Sequence, residues 1–163
     1  MEIIDAGEPH LAAITEIYNH SITHGSAVWH SVEADLESRR RWMEDRQQAR
    51  FPVIVALDAE GRVAGYGSFG PWRSGDGYRD TVEHSVHVRA DAQGRGVGRA
   101  LLGELILRAS EAGKHAMIAG IEAGNEISIQ LHARLGFERV GYFPEVGTKF
   151  GRRLDLVFMQ RPL

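Results

Sequence analysis

The segment Gln93-Gly94-Arg95-Gly96-Val97-Gly98 constrains this chain most, because it joins a β-rich stretch, Val82 to Val88, to a long helical pattern. That pattern runs from Gly96 to about Ala112, with Val97, Leu101, Leu102, Leu105, Ile106 and Ala109 along one stripe. Glycines at such a joint let the backbone approach a ligand. The first helical turn then presents unpaired N–H groups at a positive dipole end. Arg95 and Arg99 add charge, so the expected ligand is a pyrophosphate. A dinucleotide fingerprint requires G-x-G-x-x-G/A, but the last position is Arg99 counted from Gly94 and Leu101 counted from Gly96. A P-loop requires Lys-Ser/Thr after its final glycine, where this chain has Arg99-Ala100. A glycine-rich connection with no ligand is the competing reading.

Strand and helix signals alternate along the rest of the chain, without repeats or linkers, which predicts one α/β domain over residues 1–163. Ile3 and Ile4 suggest a first strand, and Leu11, Ile14, Ile17, Tyr18 and Ile22 a first amphipathic helix. Ser31 is a suitable N-cap for a second helix reaching about Gln48. Val53 to Ala56 and Val63 to Phe69 read as a hairpin around Asp58-Ala-Glu-Gly61. Gly70 to Asp80 reads as an irregular loop. Met117–Ile121 is a strand, Ile127–Leu135 a helix stopped by Gly136, and Glu138–Val146 and Leu154–Gln160 are two late strands.

The balance of charge narrows the partners. A net charge of −3 argues against a nucleic-acid surface. No apolar run approaches the ~20 residues that span a bilayer, and the first residues lack a basic segment followed by an apolar one. The absence of cysteine removes disulfides, thiolate metal sites and a cysteine nucleophile. A cytoplasmic location is expected.

Two blocks in order carry a resemblance. Gln93-x-x-Gly96-x-Gly98 after a strand resembles the acyl-CoA motif of the GCN5-related N-acetyltransferase (GNAT) superfamily. Asn125-x-x-Ser128-x-x-Leu131-His132-x-x-x-Gly136-Phe137 is similar to its second CoA-contacting segment. Thr81-Val-Glu-His-Ser-Val-His-Val88 and Lys149-Phe-Gly-Arg-Arg-Leu-Asp155 further resemble the phosphinothricin and methionine sulfoximine acetyltransferase subgroup. The resemblance implies a twisted, mostly antiparallel mixed sheet of about seven strands with about four helices, and acetyl-CoA as co-substrate. It also implies a homodimer and an acceptor that is a small amino-acid-like amine. The apolar run Leu156-Val-Phe-Met159 is a candidate dimer surface. Main-chain groups of Val86 and Val88, with His87 between them, would follow the acetyl-pantetheine arm. Gln93, Gly94, Arg95, Gly96, Val97, Gly98 and Arg99, with Asn125, Ser128 and Leu131, would hold the rest of coenzyme A.

An attacking amine must lose a proton, and Glu83, set among valines, is the leading base. In a regular strand Glu83, Ser85 and His87 share one face and Val82, His84, Val86 and Val88 the other. The superfamily places a bulge here, which would re-aim these side chains, so His84 is the second candidate. His84 and His87 lie on opposite faces with no third ligand near, so no metal is expected. His132 stands where the superfamily often has a tyrosine and is a candidate acid for the leaving thiolate, with Tyr142 and Tyr78 weaker. Asn125 also serves as a helix N-cap. With no cysteine, direct transfer is more economical than a covalent relay. Substrate recognition is expected in Trp72-Arg73-Ser74 through Arg79, with Arg73 the first candidate for a carboxylate and Arg79 the next. Val82, Trp29 and Lys149 are further candidates, Lys149 from a partner subunit. A solvated loop is the plain alternative for the Trp72–Arg79 stretch. Two other functions compete: a protein N-terminal or lysine acetyltransferase, and a non-catalytic acyl-CoA sensor.

Overall fold

Asp58 writes the first hairpin. In the computed structural model, which describes residues 1–163, its Oδ1 accepts from the main-chain N–H groups of Glu60 (3.1 Å) and Arg62 (2.9 Å). The turn joins β2 (Val53–Leu57) to β3 (Val63–Pro71). β1 (Glu2–Asp5) adds antiparallel to β2, and β4 (Thr81–Val88) antiparallel to β3. β5 (Ala116–Glu122) lies parallel to β4, and the hairpin of β6 (Glu138–Lys149) and β7 (Arg152–Pro162) joins it through β7. The sheet order is therefore β1-β2-β3-β4-β5-β7-β6.

Four helices cover the sheet: α1 (Leu11–His24), α2 (Leu36–Gln48), α3 (Val97–Glu111) and α4 (Glu126–Arg134). Strand alternation sorts the core into two layers. Val53 and Val55 pack with Leu11, Ile14 and Ile17 of α1 and Met43 of α2, whereas Ile54 and Ala56 pack with Leu101, Leu102 and Leu105 of α3. Those three leucines are fully buried, each contributing about 1.5–3 kcal/mol of transfer free energy. The seven-stranded mixed sheet with four helices is the α/β architecture the sequence predicts.

Three details differ from the sequence reading. Helix α2 starts at Leu36, and its N-cap is Asp35, which accepts from Ser38 N at 2.7 Å, rather than Ser31. Residues 25–34 follow an irregular path instead, anchored where the Asn19 side chain bonds both the carbonyl (2.9 Å) and the N–H (2.8 Å) of Ala34. The late strands are longer than periodicity suggested because they pair with each other across a tight turn at Phe150–Gly151. Finally, Val157 and Met159 of the run Leu156–Met159 point into the core at 1% exposure, so that run is not a free apolar surface. Within this hairpin the exposed apolar side chains lie on β6 and at the turn instead: Val140, Tyr142, Phe143, Val146 and Phe150.

Candidate active site

The site exists because two strands part. β4 and β5 pair only from Thr81/Ala116 to Glu83/Ile118. β4 then continues with β3, while β5 continues with β7 to Glu122. From His84 to Val88 the β5-facing edge of β4 has no strand partner, which leaves main-chain groups free for a ligand. A cleft of about 1070 Å³ fills the parting, lined by Ser85 to Val88 on one side and Ala119 to Glu122 on the other.

At one end the cleft meets the start of α3. Gly94 and Gly96 hold left-handed backbone conformations (φ 76° and 81°), a geometry that side-chain-bearing residues rarely adopt. Gly96 is the N-cap of α3 and supplies no side-chain cap, so the N–H groups of the first turn point outward unsatisfied. Gln93, Gly94, Gly96, Val97, Gly98 and Arg99 line the cleft, together with Asn125, Ser128 and Leu131. A Cβ on Gly98 would meet Leu131 and Val88 at 3.6 Å, so α3, α4 and β4 converge there. Arg95 is exposed and outside the lining, so of the two arginines in the glycine-rich segment only Arg99 lines the cleft. Asn125 caps α4 by accepting from Ser128 N at 3.2 Å while also facing the cleft. This donor-rich end fits the pyrophosphate of coenzyme A.

The β4–β3 ladder has no bulge: Val82 to Val88 pair in continuous register with Pro71 to Gly65. The expected re-aiming of side chains does not occur, and strict alternation holds. His84 turns to the α3/α4 side, where its Nε2 lies 2.9 Å from His132 Nε2. His132 Nδ1 lies 2.7 Å from the carbonyl oxygen of Ser128. A carbonyl only accepts, which puts the His132 proton on Nδ1; His84 Nε2–H then donates to His132 Nε2. Both rings are neutral. Burial and the neighbouring His132 and His87 hold His84 down to about 3, and burial also lowers His132. In this tautomer neither ring has a free N–H to offer a thiolate. His84 Nδ1 is sealed from solvent without a partner.

Glu83 and His87 turn to the α1/α2 side. His87 stacks on Tyr66 with ring centroids 5.1 Å apart, and burial holds its pKa down to about 4. Glu83 is half-buried, lines the cleft and joins no ion pair. Burial raises its pKa, opposed by the charges of Arg46 and Arg73. The other carboxylate facing the cleft, Glu122, is occupied: Ser26 Oγ donates to it at 3.3 Å and Gly124 N at 2.9 Å. Glu83, His84 and His132 all line the cleft, but Glu83 carries no hydrogen-bond or ion-pair partner, whereas His84 is locked to His132 on the other side of the sheet.

The residues expected to hold the acceptor are not gathered together. Trp29 lines the cleft, with its Nε1–H bonded to Ser26 O at 2.7 Å and its ring against Gly147. Val82 is a core residue at 1% exposure, because alternation turns it toward α3. Trp72, Arg73, Ser74 and Arg79 lie outside the lining. Trp72 packs edge-on against Phe158 at 5.0 Å, Arg73 rests on the Trp72 ring, and Arg79 bonds Asp76 O. Lys149 is buried, and its ammonium donates to the carbonyls of Ser21 (3.2 Å), Gly25 (2.6 Å) and Val28 of its own chain. It pins residues 25–28 rather than reaching a substrate. Sequence reasoning missed Arg39, Gly120 and Glu122 of the cleft wall. Arg39 sits among the charges of Glu37-Ser-Arg-Arg-Arg41 and passes for a solvated face; its i+4 spacing to Met43 was the available signal.

Comparison with known proteins agrees with this geometry. The model of the Acetyltransferase (GNAT) family matches residues 11–137. The chain is 51% identical over its full length to an L-amino acid N-acyltransferase of Escherichia coli, covering 94% of that protein. It is also 51% identical to an L-methionine sulfoximine/L-methionine sulfone acetyltransferase of Pseudomonas aeruginosa, over 97% of this chain and 92% of that one. Among solved structures, a Salmonella typhimurium putative acetyltransferase with acetyl-CoA superposes with a TM-score of 0.96 at 51% identity, covering 99% and 93% of the two chains. A Brucella melitensis structure called a ribosomal-protein-alanine N-acetyltransferase superposes at 0.98 with 48% identity, covering both chains fully. With the parted strands, the glycine cradle and these likenesses in agreement, the chain belongs to the GNAT acetyltransferase family.

Proposed function

We propose that this enzyme transfers an acetyl group from acetyl-CoA directly to the α-amine of a small amino-acid-like acceptor of the methionine sulfoximine or phosphinothricin type. The observation that carries the reading is the single cleft joining an anion cradle at α3 to the open carboxylate of Glu83 along an unpaired strand edge. Acetyl-CoA supplies the activated thioester. The first turn of α3 and Arg99 receive its pyrophosphate, and the β4 edge from Ser85 to Val88 aligns its arm by main-chain bonds. Glu83 accepts the proton of the acceptor amine, directly or through one water, as the nitrogen bonds the acyl carbon; the C–S bond then breaks, and coenzyme A leaves as its thiolate and is protonated from solvent. Main-chain N–H groups of the same edge stabilise the charge that develops on the acyl oxygen.

The amino-acid acceptor is favoured by the names of the relatives from Escherichia coli and Pseudomonas aeruginosa. The Brucella melitensis name favours a protein N-terminus as the alternative acceptor. We place the reaction in the cytoplasm and infer a homodimer built on the exposed apolar residues of β6. The deciding experiment is thiol release from acetyl-CoA against methionine sulfone, methionine sulfoximine, phosphinothricin and an alanine-initiated peptide. Turnover of the amino acids alone is expected. Turnover of the peptide alone refutes the assignment, and acetyl-CoA binding without any turnover identifies a sensor.

A further inference from the structure

Arg46 of α2 reaches the Glu83 face of the sheet without entering the cleft. Strand register sets Gly70 of β3 directly opposite Glu83, and Glu83 opposite Ile118 of β5. Paired residues share a face, so Glu83 lies between two glycines of neighbouring strands, Gly70 and, two positions beyond Ile118, Gly120. Its Oε1 leans toward β5, 3.4 Å from where a Cβ on Gly120 would stand. The space over Gly70 is filled instead by the Arg46 guanidinium, which a Cβ at that position would strike. Arg46 Nη1 is sealed from solvent without an acceptor, and no ion pair in the molecule includes Arg46 or Glu83. The two charges lie over adjacent strands, near enough to act on one another. Burial raises the Glu83 pKa, and Arg46 opposes that rise ahead of Arg73. Burial and the charge of Arg39 lower Arg46, and Glu83 raises it.

The separation has a chemical use. A direct ion pair would occupy the carboxylate oxygens and leave a poor base. Burial with no cation would leave the group protonated. A fixed cation one strand away opposes burial and keeps both oxygens open. The other groups around Glu83 do not supply that charge. Arg73 is exposed and screened by water. His84, His87 and His132 are held neutral, and Glu122 of β5 is bonded to Ser26 and Gly124. Arg39 lies two turns back along α2, between the rings of Tyr18 and Trp42 and bonded to Tyr66, which pairs with His87 rather than Glu83.

Resting on the role of Glu83 argued above, we propose that Arg46 is a positioning residue that keeps the Glu83 carboxylate ionised while leaving it unpaired for the acceptor amine. Arg46 lies outside the cleft lining, so it acts through Glu83 and not on the substrate. Gly70 is the residue that admits it.

The test compares Arg46→Met, which keeps the stem and removes the charge, and Arg46→Lys, which keeps the charge, with the wild type. Two readouts are taken: carboxyl NMR titration of Glu83, assigned by its loss in Glu83→Gln, and the pH profile of kcat/KM for methionine sulfone. Arg46→Met should move both midpoints upward by about one pH unit, the low end of what an opposite charge nearby is worth. Arg46→Lys should restore most of that shift. Activity lost at the acid end of the profile should return at the alkaline end, and the KM for acetyl-CoA should not change. An equal loss of activity at every pH, with the Glu83 titration unmoved, makes Arg46 a packing residue and overturns the proposal. Gly70→Ala, which displaces the guanidinium but leaves its charge in the chain, replaces Arg46→Met if the latter does not fold, with a shift in the same direction expected. The two readouts also separate this proposal from the function it rests on. A Glu83 titration that moves while the pH–rate profile stays fixed upholds the action of Arg46 and refutes Glu83 as the base. A profile that moves without the Glu83 titration overturns the action of Arg46.

Discussion

Mild acid should loosen this protein through the histidines of its cleft, His84, His87 and His132. His84 is held down to about 3 and His87 to about 4, against an ordinary value of 6.5, chiefly because burial penalises the imidazolium. For a base whose folded pKa is depressed, the unfolded chain binds more protons, so stability falls as pH drops below 6.5 and continues to fall toward the folded pKa. Lowering the pH from 7 to 5 changes the unfolded state of each ring from mostly neutral to mostly charged while the folded ring stays neutral. The linkage relation gives roughly 2 kcal/mol lost per histidine over that interval, and His132, also lowered, adds in the same direction. For a chain of this size such losses correspond to a fall of roughly ten degrees in Tm. The assay is thermal unfolding across pH 5 to 7, paired with NMR titration of the histidine ring protons. A Tm that does not move over this range, or a His84 resonance titrating near 6.5, refutes the reasoning. It would mean that the rings reach solvent and that the His84–His132 pair is not locked neutral.

Three further outcomes follow from the site. Glu83→Gln should lower kcat by about 10²–10⁴ with little change in KM, and should abolish the alkaline-rising limb of the pH–rate profile set by this carboxyl; near-wild-type kcat returns the base to a water chain. Arg99→Glu should weaken acetyl-CoA binding by about tenfold or more in calorimetry, whereas Arg95→Glu, exposed and outside the lining, should change it far less; equal effects would displace the cradle. Lys149→Met leaves the carbonyls of Gly25 and Val28 without a donor, Ser21 O keeping the Gly25 N–H, and should cost on the order of 2–4 kcal/mol by denaturant unfolding; it should raise the acceptor KM because residues 25–28 come loose. An unaffected unfolding midpoint would show that the pin carries no weight.

The local elements and the cradle were legible in the sequence because each depends on near neighbours. Leu101, Leu102 and Leu105 declare their helix by period, Asp58 its turn by a short side chain, and Gly94 and Gly96 their joint by tolerating positive φ. Those are statements about backbone and periodicity, which the order of residues alone determines. The acceptor side was not legible. Which side of the sheet Glu83 and His84 each take turns on a bulge that the β3–β4 register shows to be absent, and register is a property of paired strands. Arg39 looks solvated in one dimension and becomes a buried cation only when Tyr18 from α1 and Trp42 close around it. Lys149 looks like a substrate ligand until the β6–β7 hairpin carries it, more than a hundred residues along the chain, to the carbonyls at the end of α1. Cleft and charge alike come from strands that part after Glu83, a divergence that long-range pairing alone decides.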